Sequence, residues 1–389
     1  MSKVTLFSQI ISKLERSVFN KIVTEKNTDK HQKGFTSWSH LVSMLFCQFA
    51  KSTSVRDISN GLRSATGNLN HLGMISAPSK STVSYQNKNR DWTLFKDYYY
   101  KLLNHLGQQA GFRQVKFRIK SKIFLLDSTT ISLCLSLFDW ARYKTAKGAI
   151  KMHTLLDYDG HLPAYVNITD GKTADNKGAY DIPLLKGSVI VADRYYNDFS
   201  LLYTWHSSGA FFVVRHKENL KYRKIKENEL PLNRHDNILI DEIIALTGSN
   251  SQKKYGKQLR RVAIYNEENG QTIELITNQM FWTANTISEL YKSRWQIEIF
   301  FRELKQLLHI KSFIGTSENA VMIQIWTALI TILILKYLKA IAKYGWQLSN
   351  LVAFLRLNIF VKIDLQLWLD KPFKPPEIVK EKYLQGALF

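Results

Sequence analysis

The chain has 389 residues and 45% hydrophobic content, enough to bury a large core in two or three domains. Its 54 Lys+Arg against 32 Asp+Glu give a formal charge of +22, which points to a polyanionic partner, either nucleic acid or an anionic membrane, and says nothing of sequence specificity. The two cysteines, Cys47 and Cys134, sit in apolar runs and read as buried hydrophobes, which excludes a disulfide scaffold and fits a reducing cytoplasm.

Residues 1–110 read as helical. The N-terminal stretch breaks its apolar residues with Ser8, Gln9, Lys13 and Glu15, so it reads as an amphipathic helix and not as a signal peptide; no export is implied. After a polar break at 27–34, Ser37 is expected to cap a second helix that turns Leu41, Leu45, Phe46 and Phe49 inward. Ser54 and Asp57 have the spacing of a capping box. Beyond a loop at 67–78, Ser79 is expected to cap a helix carrying Lys80, Ser81, Thr82, Ser84, Gln86, Asn87, Lys88 and Arg90. Short polar and cationic side chains on one helix suit phosphate and base-edge contacts, so this segment is either a DNA-reading helix or an ordinary polar surface helix.

From residue 116 the texture changes. KIFLLDST is a short apolar run ending in Asp127, expected as a strand buried on both faces. Residues 150–171 offer two strand-like runs around Asp159-Gly160, hence a hairpin, and SVIVADRYY then repeats the first pattern into Asp193. A carboxylate at the end of a buried strand is costly unless paired or bound to a cation. Each alone can be a cap or turn residue; two on neighbouring strands suggest a shared cation. His153 reads as a core histidine, and Asp157, Asp159, Asp170 and Asp175 as turn residues.

Residues 198–207 read as a helix, 210–217 as a strand, and 218–278 as strand-like pieces separated by polar turns, a β-rich insertion. The stretch 287–310 follows. Read as one helix, it sets Tyr291, Arg294, Glu298 and Lys305 within an arc of about 60°, with Arg302 and His309 beside them. Such a face is either a solvated surface with an i,i+4 ion pair or a site for a metal ion and a phosphate. Glu303 points about 140° away from Glu298, and Trp295 reads as core. Residues 321–335 are apolar but shorter than the roughly 20 residues a bilayer needs, and they hold Gln324, Thr327 and Thr331; a buried helix is expected and no membrane partner. The tail with Pro372, Pro375 and Pro376 reads as peripheral.

An Asp after one strand, an Asp after another and a Glu on a later helix resemble the DDE transposases. More narrowly, Tyr291, Arg294, Glu298 and Lys305 stand at the spacing of the Tyr-Arg-Glu-Lys signature of the bacterial insertion-sequence group-four family. The resemblance covers roughly residues 116–345, and the helical N-terminal part is similar by texture to the leading domain of one branch of that family. It implies an α/β fold with a ribonuclease-H-like (retroviral-integrase-like) catalytic core, a β-rich insertion and a helical N-terminal domain. The implied segments are a DNA-binding domain at 1–115, core at 116–217, insertion at 218–278, core with the catalytic helix at 279–345, and a helical tail at 346–389.

By the same resemblance Asp127, Asp193 and Glu298 are the catalytic, metal-binding triad, and Tyr291, Arg294 and Lys305 contact phosphates, with Arg302 beside them on the basic face. The implied cofactor is a pair of Mg²⁺ ions, with Mn²⁺ as a substitute, and oxygen-only ligands suit such hard cations. The implied partners are double-stranded DNA, as inverted-repeat ends and as target, and a second copy of the chain in a homodimer. The expected setting is the bacterial cytoplasm, at the nucleoid, and the expected reaction is cleavage and strand transfer, through a hairpin intermediate in many members. Two rivals are a non-catalytic DNA-binding regulator and a structure-specific nuclease that cuts without joining.

Overall fold

The computed structural model describes residues 3–32, 34–65, 67–109, 121–133, 140, 142–144, 147–216, 220–230, 237–268, 270–307 and 313–373. Cys134 and His309 lie outside the described residues. The chain divides into two compact units: residues 1–110 with 307–315 and 319–389, and residues 111–306 with 316–318.

The first unit is helical. It opens with α1 (Leu6–Ile11), α2 (Arg16–Glu25), α3 (Ser37–Ala50), α4 (Val55–Ser64), α5 (Lys80–Asn89) and α6 (Thr93–Gln109). Local hydrogen bonding sets several of their starts. Ser54 and Asp57 form the expected capping box on α4, and the Ser79 hydroxyl accepts from the Thr82 N–H at the head of α5. The cap of α3 is Thr36, one residue earlier than expected, because the amide and hydroxyl of Ser37 are both taken by the Asp29 carboxylate at 2.7 Å.

The second unit is a mixed α/β domain built on one sheet. Its strands are β1 (Ile123–Leu133), β2 (Arg142–Lys144), β3 (Lys147–Asp157), β4 (Leu162–Asp170), β5 (Val189–Ala192), β6 (Phe211–Arg215), β7 (Tyr222–Glu227), β8 (Ile238–Leu246), β9 (Leu259–Asn266) and β10 (Gln271–Thr277). Between and after them come α7 (Asp175–Gly178), α8 (Phe199–Ser207), α9 (Ser249–Lys254), α10 (Ala284–Ser293) and α11 (Trp295–Leu307). The sheet runs β2-β3-β1-β5-β6-β10-β9-β8-β7, with β4 also paired to β3. β5 and β6 run parallel to β1, and the remaining pairings are antiparallel. β5 is buried throughout, as a strand covered on both faces must be.

The strands at 222–277 are thus not a detached module: β10 pairs with β6 and extends the same sheet. A buried ionic ladder holds that extension together. Arg260 binds Asp241 through two bonds of 2.7 and 2.6 Å, and Arg261 bridges Glu242 and Glu274 at 2.7 Å each, with His216 also on Glu274. Arg260 further donates to the Trp282 carbonyl at 2.5 Å, tying the ladder to the segment that leads into α10. That link steadies the helix carrying Tyr291.

The chain returns to the first unit with α12 (Glu318–Ile341), α13 (Leu348–Asn358) and α14 (Leu365–Asp370). By its contacts α12 lies in the helical unit, where Trp326 packs on Tyr99 at 5.7 Å and the Gln324 carbonyl accepts from Gln48. α12 is long and apolar enough to cross a membrane, but 89% of its most apolar window is buried, so it is a core helix as expected.

Candidate functional site

The register of the parallel strands builds the site. Leu126 of β1 stands opposite Ala192 of β5, and Ala192 opposite Val214 of β6. The next residue on each strand, Asp127, Asp193 and Arg215, therefore falls in one row across three neighbours. Asp193 ends its strand as expected: it caps a 3-10 turn over Arg194–Tyr196, accepting the Tyr195 N–H at 2.8 Å. Asp127 does not. β1 continues to Leu133 against β3, with Asp127 opposite Thr154, and only its pairing with β5 stops at Leu126. The carboxylate stands where the neighbouring strand turns away, which frees the space beside it.

The stretch expected as a single helix is two. α10 ends at Ser293 and α11 begins at Trp295, with Arg294 at the junction. There the pattern tightens to i→i−3: the Arg294 N–H donates to the Tyr291 carbonyl and the Ile297 N–H to the Arg294 carbonyl, both at 3.1 Å. α10 packs over β5 and β6, which brings Tyr291 and Arg294 above the strand ends. The Arg294 guanidinium donates to Glu298 Oε1 at 2.6 Å, stands 3.6 Å from Asp127 Oδ2 and lies over the Tyr291 ring at 5.8 Å. Lys305 reaches the β1 backbone, donating to the Thr130 carbonyl at 3.0 Å. Arg302 is exposed, and among the described residues it makes no ion pair.

Electrostatics tie the three acids together. Burial, reinforced by Asp193 and Glu298, pushes the Asp127 carboxyl up to about 7, although the Ser128 N–H and Arg294 favour its ionised form. Asp193 is also raised, by burial and by Asp175, with the Tyr195 N–H and Arg294 in opposition. Burial lowers the Arg294 guanidinium, but Tyr291, Glu298 and Asp127 outweigh it and the net displacement is upward. Mutually repelling, desolvated carboxylates with oxygen donors only are a fit for a hard divalent cation, which would relieve the repulsion. Among the described residues no three acidic, His or Cys groups are gathered at ligating distance as they stand. Arg294 occupies the interval between Asp127 and Glu298.

Several neighbours escaped the sequence reading. Arg215 and Arg194 join Asp193, Tyr195, Gln271, Tyr291 and Arg294 around a cavity of about 440 Å³, a strongly cationic recess beside the second acid. Asp175, taken for a turn residue, opens α7, accepts the Ser128 hydroxyl at 2.5 Å, pairs with Lys151 at 3.0 Å and bears electrostatically on Asp193. Only the strand pairing reveals this; a lysine inside the apolar IKMH run was the one available hint. Trp295 is not core: it is 55% exposed. His153 is buried, as expected, with Nε2 on Thr169 at 3.0 Å.

Residues 118–334 match the family model described as a transposase DDE domain, and residues 2–75 match a domain of unknown function. A putative transposase of Sinorhizobium fredii is 30% identical over 261 residues, 67% of this chain and 71% of that protein. The probable transposase for insertion sequence element IS5377 of Geobacillus stearothermophilus is 28% identical over 287 residues, 71% of this chain and 72% of the relative. Among solved structures, a piggyBac transposase synaptic complex with hairpin DNA aligns with a TM-score of 0.40 and 10% identity, over 96% of this chain and 81% of the other. With more than half of its length under the one family model, the chain belongs to the DDE transposase family, among the transposases of bacterial insertion sequences.

Proposed function

We propose that this transposase binds the terminal inverted repeats of its own element through its N-terminal helical unit and excises and inserts the element by cut-and-paste chemistry. Asp127, Asp193 and Glu298 are the catalytic carboxylates. The observation that carries the reading is the shared row of Asp127 and Asp193 on adjacent parallel strands, with Glu298 linked to it through Arg294. The strand order β4-β3-β1-β5-β6, with only β5 and β6 parallel to β1, supports a ribonuclease-H-like core.

DDE transposases use divalent metal ions, and here Asp127, Asp193 and Glu298 would hold two Mg²⁺ ions, with Mn²⁺ as a substitute. When bound, such a pair activates the attacking oxygen and stabilises the leaving one. The protein's own groups do the rest. Arg215, Arg194 and Tyr291 grip the phosphate beside Asp193, and Arg294 adds charge where the five-coordinate phosphorus carries its excess negative charge. Lys305 completes the basic wall from α11. The working complex is a homodimer on two ends, in the bacterial cytoplasm at the nucleoid.

Asp127→Asn, Asp193→Asn and Glu298→Gln should each abolish Mg²⁺-dependent nicking of end-containing DNA while leaving DNA binding intact, since the ligand charge is lost and the basic surface remains. Nicking that survives all three substitutions would refute the assignment. Joining of a pre-cut end to target DNA separates a transposase from a nuclease that only cuts.

A further inference from the structure

The helical unit contains a segment that neither family match covers. The domain of unknown function ends at residue 75 and the DDE domain begins at 118, and α5 lies between them. One side of α5 is locked into its own unit. Val83, Gln86 and Asn87 are buried; His40 bonds the Asn87 side chain at 2.7 Å, Gln86 donates to Gln32 at 3.2 Å, and Asn319 donates to the Asn87 and Arg90 carbonyls at 2.9 and 2.7 Å. Arg90, expected on the polar face, is buried against Asp29 and the Phe35 and Thr36 carbonyls. The loop into the helix is also anchored, by the Ser59 hydroxyl on the Pro78 carbonyl at 2.7 Å.

The opposite side faces solvent. Lys80, Ser81, Ser84, Tyr85, Lys88 and Asn89 are exposed, and Ser81, Ser84, Tyr85 and Lys88 fall within an arc of about 100°. Tyr85 is 64% exposed, and Ile75, in the loop before the helix, is 89% exposed. None of the residues of α5 is acidic. Segment 51–89 holds five Lys and Arg against the single acid Asp57, whose carboxylate is spent on the α4 cap. The helix is about 15 Å long and, with its side chains, about 10–12 Å across, a diameter that the roughly 12 Å wide major groove admits.

We infer that α5 is the element that reads DNA sequence, its exposed Ser81–Ser84–Tyr85–Lys88 face entering the major groove with Ile75 beside it. The inference rests on the proposed function and sharpens it by naming the recognition surface. Hydroxyls take base-edge hydrogen bonds, Lys88 can take guanine acceptors, and an exposed aliphatic tip suits a thymine methyl. The buried bonds of the other half hold the face rigid before contact, so little order has to be gained on binding. An anionic membrane is the weaker partner for this face, because interfacial helices bury an apolar stripe in lipid and the apolar side of α5 is already buried in protein.

The test uses the full-length chain. A random-sequence duplex library is selected on the wild type, and affinity for the selected duplex is compared with that for its scrambled version. The combined substitution Ser84→Ala, Tyr85→Ala, Lys88→Ala should cut the preference by about ten- to a hundredfold, with the melting temperature unchanged. An unchanged preference would overturn the inference. So would an equal loss on both duplexes, which marks phosphate contact alone, or a loss confined to phosphatidylserine vesicles. A wild type that selects sequence through this face but nicks no DNA would leave the inference standing and sink the proposed chemistry.

Discussion

Replacing Asp127 by Asn should stabilise the metal-free protein while destroying its activity. In the folded chain burial and the neighbouring acids hold this carboxyl up at about 7, against 3.8 for a free aspartate. At 1.36 kcal/mol per pH unit that rise corresponds to about 4 kcal/mol of lost stability once the group is ionised. The direction follows from proton counting. Between pH 4 and 7 the unfolded chain has released the proton and the folded one retains it, so stability falls as pH rises and levels off above 7. Asn carries no charge and escapes the loss. Urea unfolding in EDTA should therefore find the Asn variant ahead of wild type, by about 2 kcal/mol at pH 5 and about 4 at pH 8. A variant no more stable than wild type at pH 8, or an advantage equal at both pH values, would refute the picture of a strained, repelled carboxylate. Adding Mg²⁺ should narrow the gap, since a cation held by the wild-type carboxylates stabilises only the state that binds it.

Other expectations concern the frame around the site. Asp241→Ala strands the buried Arg260 guanidinium and should cost about 3–5 kcal/mol in urea unfolding; a loss under 1 kcal/mol would remove the ladder from the stability of the sheet extension. Gly178→Ala would put a methyl 2.5 Å from the His153 ring, and about 1–3 kcal/mol of overpacking cost should appear as a lowered melting temperature, absent if the ring moves freely. Lys305→Ala should reduce the magnitude of the salt slope of DNA binding by about 0.9, one phosphate contact; an unchanged slope would take Lys305 out of the interface.

Much of this could be read along the chain because the physics is local. The capping box at Ser54 and Asp57, the cap at Ser79 and the apolar strand ending at Ala192 depend on neighbours a few residues away. The spacing from Tyr291 to Lys305 is local as well, and it carried the family resemblance. Where short-range hydrogen bonds compete, locality misled: Ser37 was claimed by Asp29 and left the cap to Thr36, and a tightened turn at Arg294 split one expected helix into two.

The sequence by itself determined which residue types are available: three acids, a basic and aromatic helix face, and an excess of cations suited to a polyanion. Tertiary structure alone decided which of them meet. Nothing in the order of residues says that β1, β5 and β6 align so that Asp127, Asp193 and Arg215 share a row, that Asp175 binds the Ser128 hydroxyl, or that half of α5 is buried. Strand register and helix packing are settled by side chains tens to hundreds of residues apart, whose burial is favourable only when the whole sheet or bundle closes at once.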